Sequence, residues 1–150
     1  MHSLSFQRLI RAGSRSASDA TRAARASADF LVDNESLLSL LAKSDGGHSD
    51  FMGCFVEGFG EQNQRKRDQL AGALQFDTEE GRYLLYICPE CGDIGCGAYA
   101  AKVRINGLAA EWYDFAYENG YEPARALPSV GPFQFSLVEY VAALEAASAA

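Results

Sequence analysis

Cys88-Pro89-Glu90-Cys91-Gly92 has the C-P-x-C-G form of a metal-binding knuckle, and Cys96 follows on the same stretch. Two thiolates presented by one tight turn can reach one metal ion, while the turn's backbone N–H groups donate to the sulfurs. A zinc site of this kind takes four ligands, so Cys88, Cys91 and Cys96 need a fourth, which Cys54 or His48 would supply. The same residues admit a thiol redox reading, with Cys91 acting alongside Cys96 or Cys88. That chemistry needs a lowered thiol pKa, which a sulfur opening a helix would gain. Here the motif stands at a strand end before glycines. They also admit a plain reading as small thiols packed in a glycine-rich turn, with Gly92, Gly95 and Gly97 serving the reversal.

Other catalytic groupings are sparse. The chain has two histidines, His2 and His48, and only the pairing of His48 with Cys54 resembles a nucleophile with its base. Glu111, Asp114, Glu118 and Glu122 are spread over a strand and a loop, not gathered as an acid/base pair. There is no phosphate loop and no dinucleotide fingerprint. The sequence therefore leans away from an enzyme.

The elements that would position the cysteines are legible around them. Arg82–Cys88 reads as a strand from its aromatic and branched residues, and 97–105 as a second. Asn106-Gly107 is a strong hairpin signal leading into a third strand over 108–117, which makes a three-stranded meander. Strict alternation along that third strand puts Tyr113, Phe115 and Tyr117 on one face and Trp112 on the other. An aromatic strand of this kind is either covered on both faces or offers one to a partner; Trp112, Tyr113, Asp114 and Tyr117 are the candidate partner-binding residues. Upstream, 35–43 is a short helix or a buried strand, and 61–74 an amphipathic helix bearing Arg65-Lys66-Arg67. At the other end, Ser136 and Glu139 have capping-box spacing, opening a C-terminal helix laid on the sheet. The expected fold is α+β: an antiparallel meander with a cysteine-bearing hairpin, packed against two or three helices.

Charge divides the chain. Residues 1–28 hold five arginines and one acid, Asp19, leaving 8 of the 13 basic and 19 of the 20 acidic residues to 29–150, a net of −11. Such a body repels phosphate backbones, which argues against nucleic acid, and attracts a basic protein. Rich in Arg, Ser and Ala, residues 1–28 read as a disordered or weakly helical leader of transit-peptide-like composition, with a single α+β domain over 29–150. Nothing approaches the run of about 18 apolar residues a membrane span requires. Four cysteines without a secretory signal suggest a reducing, cytoplasmic setting, with thiols or metal ligands rather than disulfides.

Cys91-Gly92-Asp93-Ile94-Gly95-Cys96-Gly97, Trp112-Tyr113-Asp114-Phe115, Gly131-Pro132-Phe133-Gln134-Phe135, and Tyr140 with Ala143-Leu144 form a set of motifs. Through them the stretch from Tyr83 to Leu144 resembles a widespread bacterial family of uncharacterised small proteins, some loosely labelled oxidoreductases. The resemblance implies that Cys91 and Cys96, in a C-G-[DE]-x-G-C pattern, are the pair of interest, with Cys88 less dependable. It carries no established activity. The functional expectation is a non-catalytic protein-binding domain, an immunity-type inhibitor or adaptor. The alternatives are a structural zinc module and, behind it, a thiol oxidoreductase.

Overall fold

Every second residue of Leu4–Arg11 (β1) and of Arg25–Val32 (β4) nearest the core is apolar or small, the pattern of a strand with one buried face. The structure, a computed structural model, describes residues 1–11, 14–15, 21–22, 25–46, 51–88 and 97–149. In it β1 and β4 pair antiparallel, Leu4 opposite Val32 and Arg11 opposite Arg25. The short strands Ser14–Arg15 (β2) and Thr21–Arg22 (β3) pair with the same offset, Ser14 opposite Arg22. Over the described residues of 1–28, paired strands stand where a disordered or weakly helical leader was expected, and they begin before Asp29. Averaged over 28 residues the composition is poor in apolar groups. Leu4 and Phe6 lie together on the face that Ala28, Phe30 and Val32 share, and the ladder supplies what composition hides.

Asp33 and Asn34 both adopt positive φ, the conformation that lets a two-residue turn follow the strand twist. The turn delivers Glu35–Ser36 (β5) back beside β4, and Ser36 then caps Leu37–Ser44 (α1) by accepting from the Ser39 N–H at 3.1 Å. Of the two readings open for 35–43, the helix is the one adopted, with Leu37, Leu38 and Leu41 buried.

The larger sheet follows the expected meander. Met52–Gly53 (β6) precedes Gly60–Gly72 (α2), and then come Tyr83–Ile87 (β7), Ala98–Asn106 (β8) and Ala109–Glu118 (β9). Arg125–Ala126 (β10) and Phe133–Ser136 (β11) both pair with β9, at different stretches of it, before the chain closes with Leu137–Ala149 (α3). The order β10-β9-β8-β7-β6 is antiparallel throughout. The expected α+β architecture with a C-terminal helix is the one observed. Among the described residues no helix is long and apolar enough to cross a membrane.

Gly53 joins the two sheets. A side chain there would overlap the Ala28 carbonyl oxygen, so only glycine lets β6 come this close to β4. Its N–H donates to Ser27 Oγ at 2.9 Å, and Ala28 N–H donates to the Phe55 carbonyl at 3.0 Å.

A bulge in β9 corrects the assumed alternation. Ala100 pairs with Ala116 and Lys102 with Tyr113, so Ala101 faces two residues, Asp114 and Phe115. Asp114 absorbs the extra step at φ +52°. Phe115 is thereby returned to the interior and, like Trp112, is almost wholly buried. Trp112 sits at the centre of the core, edge-on to Phe30 (5.1 Å), Phe135 (5.5 Å) and Tyr140 (6.0 Å). Its Nε1–H donates to Tyr140 Oη at 3.2 Å, and that hydroxyl donates to the Leu70 carbonyl at 2.6 Å. One polar chain thus links β9, α3 and α2.

Candidate functional site

Cys88 is the residue that follows β7, half-buried at the end of the ladder. Cys91 and Cys96 lie outside the described residues, so the hairpin they were expected to form does as well. Cys54 belongs to another part of the sheet. Its N–H donates to the Leu85 carbonyl at 2.9 Å, which places it three positions down the ladder from Cys88, about 10 Å at strand spacing. Burial pushes the Cys54 thiol up to about 12, with Asp77 adding to the effect and Lys66 opposing it. Cys54 is half-buried, like Cys88, and a thiol kept protonated is a poor nucleophile. The expected Cys54–His48 pairing cannot be placed, since His48 is outside the described residues. Among the described residues no three His, Cys, Asp or Glu side chains cluster as a metal site would need.

The four residues expected to meet a partner are all engaged within the chain. Trp112 is buried, which removes it from any surface; the reason is the core position that the bulge and Tyr140 give it. The Tyr113 ring lies beneath the Arg104 guanidinium at 4.3 Å. Tyr117 is covered by Arg125 at 4.4 Å and seated over Gly97, where a Cβ would collide with its ring. Arg125 in turn pairs at 2.7 Å with Asp45, whose carboxylate also accepts from Tyr99 Oη at 3.1 Å. Asp114 is the anionic end of a small network beside the bulge. It pairs with Arg82 at 2.9 Å and with Lys102 at 3.0 Å.

Arg82 is buried, and that dictates the rest of the network. Its Nε–H donates to the Asp114 carbonyl at 2.8 Å, and it pairs with Glu118 at 3.3 Å. Thr78 Oγ donates to Glu118 at 3.0 Å and accepts from the Arg82 N–H at 3.0 Å. Each buried charge therefore has both a counter-ion and a hydrogen bond, the condition for keeping it out of water. Burial pulls the Asp114 carboxyl upward, but Lys102 and Arg82 outweigh it and hold the group below the usual carboxylate range.

These pairings leave an uneven surface. Lys66 is taken by Asp77 (2.6 Å), Arg67 by Asp68 (3.2 Å), Arg104 by Glu111 (3.5 Å) and Arg125 by Asp45. Glu35, Glu61, Glu79, Glu122 and Glu145 are exposed, and have no ion-pair partner among the described residues. Six of the body's eight cations pair with its own acids, Lys43 and Arg65 being the two exposed ones with no ion pair among the described residues, and the exposed glutamates outnumber those two.

Sequence reasoning missed one concavity. A groove of about 640 Å³ runs between α1 and the segment before β11, with His2, Asp33, Glu35, Lys43, Ser129 and Phe133 among its lining. His2 had been assigned to a leader. Its N–H in fact donates to the Gln134 carbonyl at 2.7 Å, and its ring meets Phe133 edge-on at 5.2 Å. No local signal announces this, because the contact joins residues far apart in the chain. Comparison with known proteins adds no identity, since no protein-family model, curated protein or solved structure matches this chain.

Proposed function

We propose that the protein is a non-catalytic binding domain whose acidic body engages a basic protein, as an immunity-type inhibitor or an adaptor would. The observation that carries this reading is the set of exposed glutamates with no ion-pair partner among the described residues, left once six of the body's eight cations are satisfied by its own acids. Such a surface steers a cationic partner and repels phosphate backbones. The proposed setting is the reducing cytoplasm, in keeping with the free thiols at Cys54 and Cys88. The test is affinity capture at low salt by the wild type and by a variant carrying E61Q, E79Q, E122Q and E145Q. A basic protein held by the wild type, released by salt and lost by the variant supports the reading. Capture that is empty, or indifferent to both, removes it.

A zinc-fixed hairpin is the second reading, favoured by Cys88 standing half-exposed at the mouth of the 89–96 stretch. Cys54 stands about 10 Å along the ladder from Cys88, so this reading relies first on Cys88, Cys91 and Cys96. Elemental analysis of protein purified without chelator decides it: a metal-to-protein ratio near zero ends the proposal.

A further inference from the structure

The groove beside α1 holds two opposite charges, one toward each end. Leu40, Lys43 and Ser44 stand at i, i+3 and i+4 of α1, so they share the helix face that forms one wall. The segment before β11 forms the other wall. Ser44 Oγ meets Ser129 Oγ at 2.8 Å and ties the two walls together at the C-terminal end of α1, beside Lys43. At the N-terminal end are His2, Asp33 and Glu35. Two of these three are already committed: Asp33 Oδ1 accepts from the Ser3 N–H at 2.8 Å, and His2 Nδ1 from the Gln134 N–H at 3.3 Å. Glu35 and Lys43 are exposed and have no ion-pair partner among the described residues. From Leu37 to Lys43 the helix advances about 9 Å, and Glu35 lies two residues further out, so the two charges stand apart and do not pair. Leu40, Val130 and Phe133 give the groove between them an apolar lining. Its volume of about 640 Å³ falls within the roughly 300–1,000 Å³ of small-ligand sites.

We propose that this groove binds a short peptide of about three residues with free termini, its ammonium toward Glu35 and its carboxylate toward Lys43. Charge complementarity selects a zwitterion. A dication meets repulsion from Lys43, and a dianion meets it from Glu35 and Asp33. Spacing selects the length. An extended chain covers about 3.3–3.6 Å per residue, so three residues match a span of roughly 10 Å, whereas a single amino acid holds its two charges too close together to reach both ends. The apolar lining selects an uncharged, apolar central side chain, whose burial against Leu40 and Phe133 adds to the two charge contacts. This inference does not rest on the reading of the body as a cation-binding surface. None of Glu61, Glu79, Glu122 and Glu145, the acids changed to test that reading, lines the groove.

The test is titration calorimetry of the full chain with the tripeptide Ala-Leu-Ala, free at both ends, in ~20 mM salt, where exposed charges are weakly screened. The expected Kd is below about 1 mM. Acetylating the ammonium or amidating the carboxylate is expected to weaken binding at least ~5-fold each, and free leucine is expected to bind at least ~10-fold more weakly than the tripeptide. Lys43→Gln is expected to erase the penalty of amidation while keeping that of acetylation, and Glu35→Gln to do the reverse, as two independent charge contacts require. Both side chains are exposed, so circular dichroism and thermal midpoint are expected to be preserved. The blocked peptides test the wild type directly, whatever the variants do. No binding up to ~10 mM overturns the proposal, as does a blocked peptide or free leucine that binds as well as the free tripeptide. The variant carrying E61Q, E79Q, E122Q and E145Q keeps the groove and is expected to bind the tripeptide unchanged. Loss of binding there puts the peptide on the acidic body and overturns the groove site. Capture of a basic protein by that same variant reports separately on the proposed function.

Discussion

Tyr86 Oη donates to Asp29 Oδ1 at 2.6 Å while accepting from the Phe30 N–H at 3.0 Å, so one hydroxyl on β7 satisfies two groups on β4. Asp29 is buried, has no cation partner among the described residues, and accepts from neutral donors: Gln7 Nε2 at 3.0 Å, Ser36 Oγ at 2.6 Å and Tyr86. Tyr86→Phe removes a donor from a buried carboxylate and strands a buried N–H, and is expected to destabilise by about 3 kcal/mol. Chemical denaturation with an unchanged m-value measures it. A loss below about 1 kcal/mol contradicts the role given to this hydroxyl.

Gly53 has no room for a methyl group. Gly53→Ala must push β6 away from the Ala28 carbonyl and disturb the Ser27 and Phe55 hydrogen bonds, at an expected cost of about 3 kcal/mol. Thermal unfolding reads the effect. Gly81→Ala, at a glycine with open space around it but φ of +89°, is the control in which backbone strain acts alone.

Cys54 should be silent in the native protein. In a variant with Cys88, Cys91 and Cys96 changed to Ser, a thiol reagent at pH 8 is expected to find no reactive group until denaturant is added, and then one per chain. The sign of the pH effect follows. The folded state disfavours the thiolate, so the associated stability is full below the ordinary thiol pKa and is lost as pH rises from there toward about 12. Cys54→Ala abolishes that alkaline component, which pH-dependent unfolding curves would show.

Asp114 gives the opposite dependence. Its carboxyl is depressed in the fold, so its contribution is present above the ordinary carboxylate pKa and is lost as pH falls through the lower folded value. Asp114→Asn keeps a residue tolerant of positive φ but leaves Arg82 and Lys102 without that charge. The expected result is lower stability at neutral pH and a flatter profile below about pH 4. An acid profile identical to that of the wild type contradicts the ion-pair account.

Local signals in the sequence were reliable guides to local structure. Asn106-Gly107 marks the turn between β8 and β9, and Ser136 Oγ accepts from the Glu139 N–H at 3.2 Å, the serine half of the expected capping box, while the Glu139 carboxylate accepts from Leu4 N–H. Features created by distant pairing were hidden. The strand β1 has little apolar content of its own and exists because 25–32 completes its ladder. The bulge has no glycine to announce it; Asp114 takes the positive φ instead, and this turned the alternation-based faces of Phe115 and Trp112 into one. At the candidate site, residue types were readable and their commitments were not. Tyr113, Asp114 and Tyr117 read as free until Arg104, Arg82, Lys102 and Arg125 are seen to hold them.

Glu139 offers its carboxylate at 3.1 Å to the backbone N–H of Leu4, a residue made 135 positions earlier. On the ribosome β1 therefore emerges long before α3, which packs on it, and β4 before Phe55, Tyr86 and Trp112, whose rings meet Phe30. Synthesis from the N-terminus cannot finish this core piece by piece, and contacts so distant in the chain make its closure a late event in folding.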